Sequence, residues 1–383
     1  MSEAEGLIAY GDTVRSATVR HELPLAIVDP VLYAERDGRR YALVSVLEAD
    51  RVATAASDVE QLSPEALGRD ELVAGGRPAR EVSLEVAARA VARIGIRRAR
   101  VPGELPLALA ERLRAAGVEL TVDEAPFEDR RRRKTDVQLG GIRRAQAAAD
   151  AAMAAAAELL RGARVADGRA TVGDAPLTAE LVRTRLREVC AAKGAPAPAE
   201  IIVAPGEQAA EGHEPGHGPI APGASLIVDI WPQDEATGCF ADMTRTFVVG
   251  DPPEELRAMH ALAREAQVRA TAAVRAGALG TEVFGAACDV FEAAGHATLR
   301  TKRPDEVLDD GFTHGLGHGV GLEIHEAPAL GLDTAVRLRA RDVVTIEPGC
   351  YRRGFGGVRV EDLVVVGDDG AEVLTRFPYG LEL

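Results

Sequence analysis

The chain has few of the features that stabilise small secreted proteins or anchor membrane proteins. Its 383 residues include four cysteines, and no two of them form a Cys-x-x-Cys pair. That spacing excludes a zinc knuckle and a thioredoxin-like motif, and a disulfide scaffold is not expected at this density. No run of about 18 apolar residues is present, so no transmembrane helix is expected. No signal peptide is recognisable at the start, and we therefore expect a cytoplasmic protein.

Positive charge is also in deficit, because 45 basic residues stand against 60 acidic ones and leave a net charge of −15. Such a field repels phosphate groups, so we expect binding neither to nucleic acid nor to anionic membranes. One run of five consecutive basic residues, 130–134, departs from this pattern. An isolated nucleic-acid patch is the less favoured interpretation of it. We interpret the run as a solvated connector between two domains, residues 1–130 and 131–383.

Strand-like and helix-like segments alternate before this boundary, which predicts an α/β domain. Apolar runs at 25–28 and 41–46 flank Asp37-Gly38 and predict a hairpin, followed by helices at 81–94 and 106–116 and a strand at 118–122. After the boundary, helices are predicted at 136–160, 178–192, 252–277 and 281–295, and strands at 201–204, 225–230, 244–249, 342–346 and 357–366. The larger domain is therefore expected to be α+β, with a mostly antiparallel sheet.

Three of the eight histidines lie within twelve residues, at His314, His318 and His325. Glycine occupies every second position from 315 to 321. On a helix the first two histidines would share one face, but each glycine costs about 1 kcal/mol there relative to alanine. We expect an extended or turning chain whose backbone packs close to a neighbour. A phosphate-binding glycine loop would need a helix directly after it, and none is predicted. Taken alone, the three histidines are equally compatible with a structural role.

Four acids border or interrupt β-branched, core-like segments: Asp229, Asp242, Glu347 and Glu361. A buried carboxylate without a partner is costly and takes up a proton, a cation or a metal. Four carboxylates with one imidazole form an oxygen-rich set that suits hard divalent cations such as Mn²⁺, with Zn²⁺, Co²⁺ and Fe²⁺ as alternatives. The set has more anionic ligands than one ion needs, which indicates two divalent metal ions bridged by shared carboxylates.

These residues lie in motifs that resemble those of the pita-bread metallopeptidases, a group that includes aminopeptidase P, prolidase, methionine aminopeptidase and the metal-free creatinase. The matching strings are Val228-Asp229, Ala241-Asp242-Met-Thr-Arg-Thr-Phe247, the segment 314–326, Ile346-Glu347-Pro-Gly-Cys-Tyr351 and Gly357-Val-Arg359-Val-Glu361-Asp362. Their order and spacing are similar too, over roughly residues 136 to 383. The resemblance implies a pita-bread domain preceded by a smaller α/β domain similar to the creatinase N-terminal domain.

The resemblance also implies a role for each site residue. It implies five metal ligands: Asp229, Asp242, His318, Glu347 and Glu361. Asp242 and Glu361 would bridge the two ions, and Glu347 would also move the proton. It implies further catalytic side chains beside the ligands: His325, His314 and Arg359. Residues expected on the substrate side are His213 and Tyr351, with His217 as a competitor for the role of His213. Thr244 is expected to place a hydroxyl near the bridging water.

The activity implied by the resemblance is hydrolysis of the Xaa-Pro bond, at peptide N-termini or in Xaa-Pro dipeptides, by a water molecule that two metal ions activate. The implied substrate is a peptide with proline at the second position, and the implied assembly is a homodimer. The chain departs from the family at Asp229-Ile-Trp231-Pro232, where Asp-x-Gly is usual, and in a longer gap before Asp242. Both departures bear on substrate range. A non-peptidase hydrolase or lyase, or a peptide-binding module, on the same fold is the alternative.

Overall fold

The chain folds into two units, Met1–Arg131 and Arg132–Leu383, in a computed structural model that describes residues 5–332 and 336–382. Helices up to the boundary are α1 (Ala17–Glu22), α2 (Ala49–Ala55), α3 (Arg69–Ala74), α4 (Ala79–Ile94), α5 (Leu107–Ala115) and α6 (Ala125–Arg132). The strands are β1 (Gly6–Gly11), β2 (Val31–Arg36), β3 (Arg39–Leu43), β4 (Val59–Leu62), β5 (Arg98–Val101) and β6 (Glu119–Val122). Among the described residues, no helix has both the length and the apolar character that crossing a membrane requires.

The first unit is built on one six-stranded sheet with the order β4-β3-β2-β1-β5-β6. The predicted turn is correct, because Asp37 and Gly38 have φ values of 51° and 74° and join β2 to β3. The first strand of the predicted hairpin is wrong, since Val31–Arg36 takes that place instead of 25–28. The backbone N–H of Ile27 donates instead to the Thr13 hydroxyl over 2.6 Å. The segment also lies between Pro24 and Pro30, and proline cannot donate to a sheet ladder.

The division between the two units falls within the basic run 130–134, but the expectation that the run is solvated is wrong for most of its residues. Within the first unit Arg130 contacts carboxylates, and within the second unit Arg132 and Lys134 are 4% and 2% exposed. Each of the three forms an ion pair inside its own unit: Arg130–Glu22 at 2.9 Å, Arg132–Asp342 at 2.6 Å and Lys134–Glu326 at 2.5 Å. The charges are therefore compensated by protein carboxylates and not by water.

The second unit contains the remaining helices and strands. Its helices are α7 (Asp136–Arg161), α8 (Ala179–Ala192), α9 (Glu254–Ala273) and α10 (Gly280–Ala293). Its strands are β7 (Arg164–Ala166), β8 (Arg169–Val172), β9 (Ala175–Pro176), β10 (Ile202–Pro205), β11 (Ser225–Ile230), β12 (Met243–Val248), β13 (Gly317–Gly319), β14 (Glu326–Leu330), β15 (Val343–Ile346), β16 (Gly349–Arg352), β17 (Gly356–Arg359), β18 (Asp362–Val366) and β19 (Ala371–Val373). Short 3₁₀ turns occur at Glu65–Leu67 and Gly206–Ala210.

One pair of helices packs on each of the two main sheets of this unit. The long α7 begins at a capping box, in which Thr135 accepts from the backbone of Gln138 and the Gln138 side chain accepts in return. Together with α8, its apolar face packs on the antiparallel sheet β10-β11-β12. The pair α9 and α10 packs on β15, β17 and β18. The helices predicted in this unit are all present, with ends shifted by a few residues.

The predicted strand 357–366 is divided in the structure, and the division matters for the site. β17 pairs with β16, whereas β18 belongs to the five-stranded sheet β14-β13-β15-β18-β19. Between them the backbone N–H of Val360 donates to Pro348, and that of Glu361 donates to Thr244 on β12. The chain thus leaves one ladder and enters another at Glu361, which holds this acid where three sheets meet.

Candidate metal centre

The five predicted metal ligands come together at strand ends from different sheets. Asp229 lies in β11, Asp242 precedes β12, His318 lies in β13, Glu347 follows β15, and Glu361 connects β17 to β18. All five line one cavity of about 650 Å³. Other lining residues include Glu200, Ile202, His213, Trp231, His314, Ile324, His325 and Arg359. Residues that are far apart in sequence therefore share one site.

Glycine allows the histidine segment to approach the sheet closely enough to form this site. A methyl group on Gly317 would overlap the Thr345 carbonyl, and one on Gly319 would overlap the Ala327 carbonyl. The segment is extended there, as predicted, and the backbone N–H of His318 donates to the Thr345 hydroxyl over 3.1 Å. The alternation of glycine thus serves close packing of backbone against backbone.

The longer loop between the two aspartates is ordered by Asp234, a residue that no sequence pattern singles out. Both oxygens of this carboxylate accept from the Arg144 guanidinium at 2.9 Å, and Thr237 donates to it from its backbone and its hydroxyl. Asp234 is 4% exposed, and these donors hold its pKa below the usual range despite the opposing effect of burial. These contacts hold the loop after Trp231 in place, although residues 232–241 do not themselves line the cavity.

The core of the site is a compact set of carboxylate and imidazole atoms. His318 Nε2 lies 3.7 Å from Asp242 Oδ2 and 3.5 Å from Glu347 Oε1. Asp242, His318 and Glu361 each offer one ligand atom, and these atoms lie within 4.8 Å of one another. Nitrogen and oxygen atoms at such spacing can converge on one divalent cation, and the carboxylates of Asp229 and Glu347 line the same cavity.

The charges of the site are not balanced by the protein. Burial, reinforced by repulsion among the carboxylates, raises the pKa of Asp242 and of Glu361 well above the usual range. Burial also raises the pKa of Glu347 to about 8. Within the described residues, the buried oxygens Asp229 Oδ1 and Asp242 Oδ1 accept no hydrogen bond. Four carboxylates with unused oxygens and one guanidinium therefore fit the two divalent cations that the sequence predicts.

The partly buried His314 and His318 are neutral at physiological pH, as metal ligation by imidazole requires. Burial lowers the pKa of His318 to about 4 and that of His314 to about 3. His318 Nδ1 is 3.1 Å from the Gly319 carbonyl, which can only accept, so Nδ1 carries the proton. The lone pair of His318 Nε2 therefore points to the side of Asp242 and Glu347, and the backbone carbonyl fixes this tautomer.

Arg359 connects the ligands to residues behind the cavity. Its guanidinium donates to Asp229 Oδ2 over 2.6 Å, to the Tyr351 hydroxyl over 3.1 Å and to the Thr244 hydroxyl over 3.2 Å. Thr244 in turn donates to Glu361 Oε2 over 2.8 Å. Tyr351 is 3% exposed, lies outside the cavity lining and reaches His314 Nε2 at 2.8 Å. The structure therefore places Tyr351 behind the cavity wall, where it orients His314 and Arg359.

On the open side of the cavity, the structure places His213 and His325 among the lining residues, whereas His217 lies outside the lining and is exposed. The ring of His325 stands edge-on to that of His318, with centroids 4.3 Å apart. Glu200 and Ile202 also line the cavity, although no motif in the sequence selects them. The one signal that could have found them is the predicted strand 201–204 beside the strand of Asp229.

Comparisons with known proteins agree with this geometry. Residues 140–368 match the sequence model of Metallopeptidase family M24, and the chain belongs to that family. A "Xaa-Pro dipeptidase" from Pyrococcus furiosus is 40% identical over 136 residues, a segment that covers 36% of this chain and 36% of that protein. The chain thus aligns in sequence with only about a third of that relative's length.

Solved structures extend the likeness to the whole chain. A structure of "Xaa-Pro dipeptidase" from Bacillus anthracis has a TM-score of 0.81 at 24% identity, covering 99% of this chain and 95% of that one. An X-Pro aminopeptidase from Thermotoga maritima has a TM-score of 0.76 at 21% identity, covering 98% and 97%. At such identities the likeness establishes the fold, and it confirms the predicted α+β class with a pita-bread domain after a smaller α/β domain.

Proposed function

We propose that this protein is a metal-dependent exopeptidase that hydrolyses the bond between a first residue and a proline at the second position. The observation that carries the proposal is the buried carboxylate cluster around His318, whose charge the protein itself leaves uncompensated. Membership of a metallopeptidase family supports it, and so do the names of the relatives. The proposal includes a cytoplasmic location. It also includes a homodimer, and light scattering of the purified protein tests this oligomeric state.

The proposed metal ligands are Asp229, Asp242, His318, Glu347 and Glu361, with Mn²⁺ as the expected cation. Two divalent cations held there would supply the nucleophile, because they lower the pKa of a water molecule from near 16 to about 7. Arg359 and Thr244 hold the Asp229 and Glu361 carboxylates in orientation through the contacts described above. Glu347 is the proposed proton carrier: it accepts a proton from the attacking water and returns it to the proline nitrogen as that nitrogen leaves.

In this proposal His325 acts on the substrate carbonyl, and His314 lines the cavity beside it. His325 lines the cavity next to His318 and donates to the carbonyl oxygen as negative charge develops on it. Such a donor is worth about 3–4 kcal/mol of transition-state stabilisation. His314 Nδ1 is 2.7 Å from the Gly315 carbonyl and therefore carries its proton there, while Nε2 accepts from Tyr351. Tyr351 thereby fixes the plane of the His314 ring at the cavity surface.

A dipeptidase and an aminopeptidase differ in how they treat the carboxyl side of the proline. A dipeptidase must bind the free carboxylate of proline, whereas an aminopeptidase must leave room for further residues. Among the described residues of the cavity lining, only Arg359 carries a permanent positive charge, and Asp229 already pairs with it. This observation favours the aminopeptidase as a second candidate beside the dipeptidase that the names of relatives suggest.

The deciding experiment compares Gly-Pro with Gly-Pro-Ala as substrates of protein that has been dialysed against a chelator and then supplied with Mn²⁺. We expect no cleavage before the addition and cleavage at the Gly-Pro bond after it. Glu347→Ala should abolish turnover. His325→Ala should lower turnover far more than it lowers the amount of bound metal. Cleavage that persists in the chelated protein or in Glu347→Ala would exclude the mechanism. Cleavage of one substrate alone separates the two candidates.

A further inference from the structure

One wall of the cavity has no part in the chemistry proposed above. It consists of Glu200, Ile202 and Trp231. Ile202 pairs directly with Asp229 across β10 and β11. Glu200 lies two residues before Ile202 and Trp231 two residues after Asp229, just outside the ends of β10 and β11, and both line the cavity together with Ile202 and Asp229. The wall therefore starts at a proposed metal ligand and leads away from it towards the mouth.

The wall changes in character along its length. Ile202 is 5% exposed and Trp231 is partly buried, so the part next to Asp229 is apolar. Glu200 at the far end is exposed, and no described residue forms a hydrogen bond or ion pair with it. An apolar stretch that ends in an unpaired carboxylate is complementary to a side chain with an alkyl stem and a terminal cation, because such side chains bury the stem and keep the charge at the surface.

The charge distribution of the cavity sets the direction in which a peptide would lie. The Asp229 carboxylate lies beside Ile202 across the two strands, and the other proposed ligand carboxylates line the same cavity. A peptide carries its only backbone cation at its amino end. The first residue is therefore attracted to the carboxylate side, and its side chain faces Ile202 and Trp231.

We propose that Glu200, Ile202 and Trp231 form the subsite for the residue before proline, and that Glu200 makes this subsite selective for lysine or arginine. The inference rests on the proposed function, which supplies the orientation of the substrate. Norleucine is the matched probe, since it has the alkyl stem of lysine without the ammonium group. The Glu200 charge is partly screened by water, so the effect is limited to about fivefold.

The test measures kcat/KM of the Mn²⁺-loaded protein for Lys-Pro-Ala, norleucine-Pro-Ala and Glu-Pro-Ala. Lysine should be preferred over norleucine, and Glu200→Gln should lower that ratio about threefold to fivefold while it raises the rate for Glu-Pro-Ala. Glu200→Arg should reverse the preference in favour of glutamate. The control is Glu207→Gln, which removes an exposed carboxylate outside the cavity lining and should leave all three ratios unchanged.

Calorimetric binding of the same peptides to Glu347→Gln, with and without Glu200→Gln, separates failure of the subsite from failure of the proposed function. If the parent protein and Glu200→Gln cleave the peptides with the same lysine-to-norleucine ratio, the subsite is wrong and the exopeptidase proposal stands. If no peptide is cleaved, the exopeptidase proposal is wrong. In that case tighter binding of the lysine peptide that depends on Glu200 still supports the subsite, and equal binding overturns it.

Discussion

Two neighbouring acids, Glu361 and Asp362, are both buried, yet they lie in opposite electrostatic surroundings. Asp362 is 0% exposed and accepts from Arg245 at 3.0 Å, from the Tyr379 hydroxyl at 2.7 Å and from Gln267. Glu361 accepts from the Thr244 hydroxyl and faces the Glu347 and Asp229 carboxylates, whose repulsion the nearby Arg359 guanidinium offsets only in part. A buried acid that the protein neutralises serves the fold, whereas one left without compensation is free to bind a cation.

The largest effect is expected when Glu361 is replaced by glutamine. Cleavage of Xaa-Pro substrates should fall by at least about 10³-fold, the upper range for removal of one essential electrostatic group. The metal content should fall as well. The metal-free variant should remain folded and have an unchanged or higher Tm, because a source of repulsion has been removed. Metal analysis and thermal denaturation check this, and a strongly destabilised metal-free Glu361→Gln would contradict the comparison.

The neighbouring substitution Asp362→Asn should have the opposite profile. It leaves the guanidinium of Arg245, which is 1% exposed, without its anionic partner. Breaking a buried pair in this way costs about 3–5 kcal/mol of unfolding free energy. Denaturant titration measures this loss, and activity per folded molecule should stay near that of the parent protein. A loss of metal without a loss of stability would show that the two acids are not functionally distinct.

The stability of the metal-free protein should decrease between pH 7 and pH 8. The folded pKa of Glu347 is raised to about 8, and those of Asp242 and Glu361 are raised too, so the folded state retains protons that the unfolded state has lost. Each such group contributes up to about 1.4 kcal/mol of lost stability per pH unit. His314 and His318, with lowered pKa values, are neutral in the folded state, and the loss of their remaining protons in the unfolded state near pH 7 gives a smaller effect of opposite sign.

Chemical denaturation at pH 7.0, 7.5 and 8.0 in the presence of a chelator measures this trend. The Mn²⁺-loaded protein is the control, and its stability should vary much less because the cations hold the carboxylates ionised. An equal slope with and without Mn²⁺ would mean that these acids are not the source of the pH dependence.

The smallest effect is expected for Tyr351→Phe, which removes one hydroxyl between Arg359 and His314. The loss of a hydrogen bond of this kind is worth about 1 kcal/mol, or roughly fivefold in kcat. Because the ring and its packing remain, metal content and Tm should change little. A steady-state assay together with metal analysis tests this. Loss of metal from Tyr351→Phe would mean that the hydroxyl supports the ligands more directly than the structure indicates.

The acids among the proposed metal ligands were accessible from sequence because each of them borders or interrupts a segment that must be buried. Asp229 ends an apolar strand and Glu361 breaks a β-branched run, so the cost of burial itself marks these positions. The glycines around His318 carry a similar local signal, since only a close approach of two backbones requires them. The helices of the second unit were predictable for the same reason, as periodicity and caps such as Thr135 lie within a few residues.

Features that depend on partners distant in the chain were not predictable from the sequence. Arg132 and Lys134 look like solvated charges because their carboxylates are 210 and 192 residues away. The division of the predicted strand at Glu361 also depends on another segment, through the carbonyl of Thr244. Glu200 carries no local signal at all, since its position beside the cavity results from the pairing of Ile202 with Asp229.

Trp231 has a consequence of a different kind, because it is the only tryptophan of the chain and it lines the cavity. Light of a wavelength that excites indole and not the five tyrosines addresses this single position. Emission from the protein therefore reports directly on the polarity next to Asp229. Quenching or a spectral shift gives an optical titration of any occupant of the cavity, without a label and without turnover.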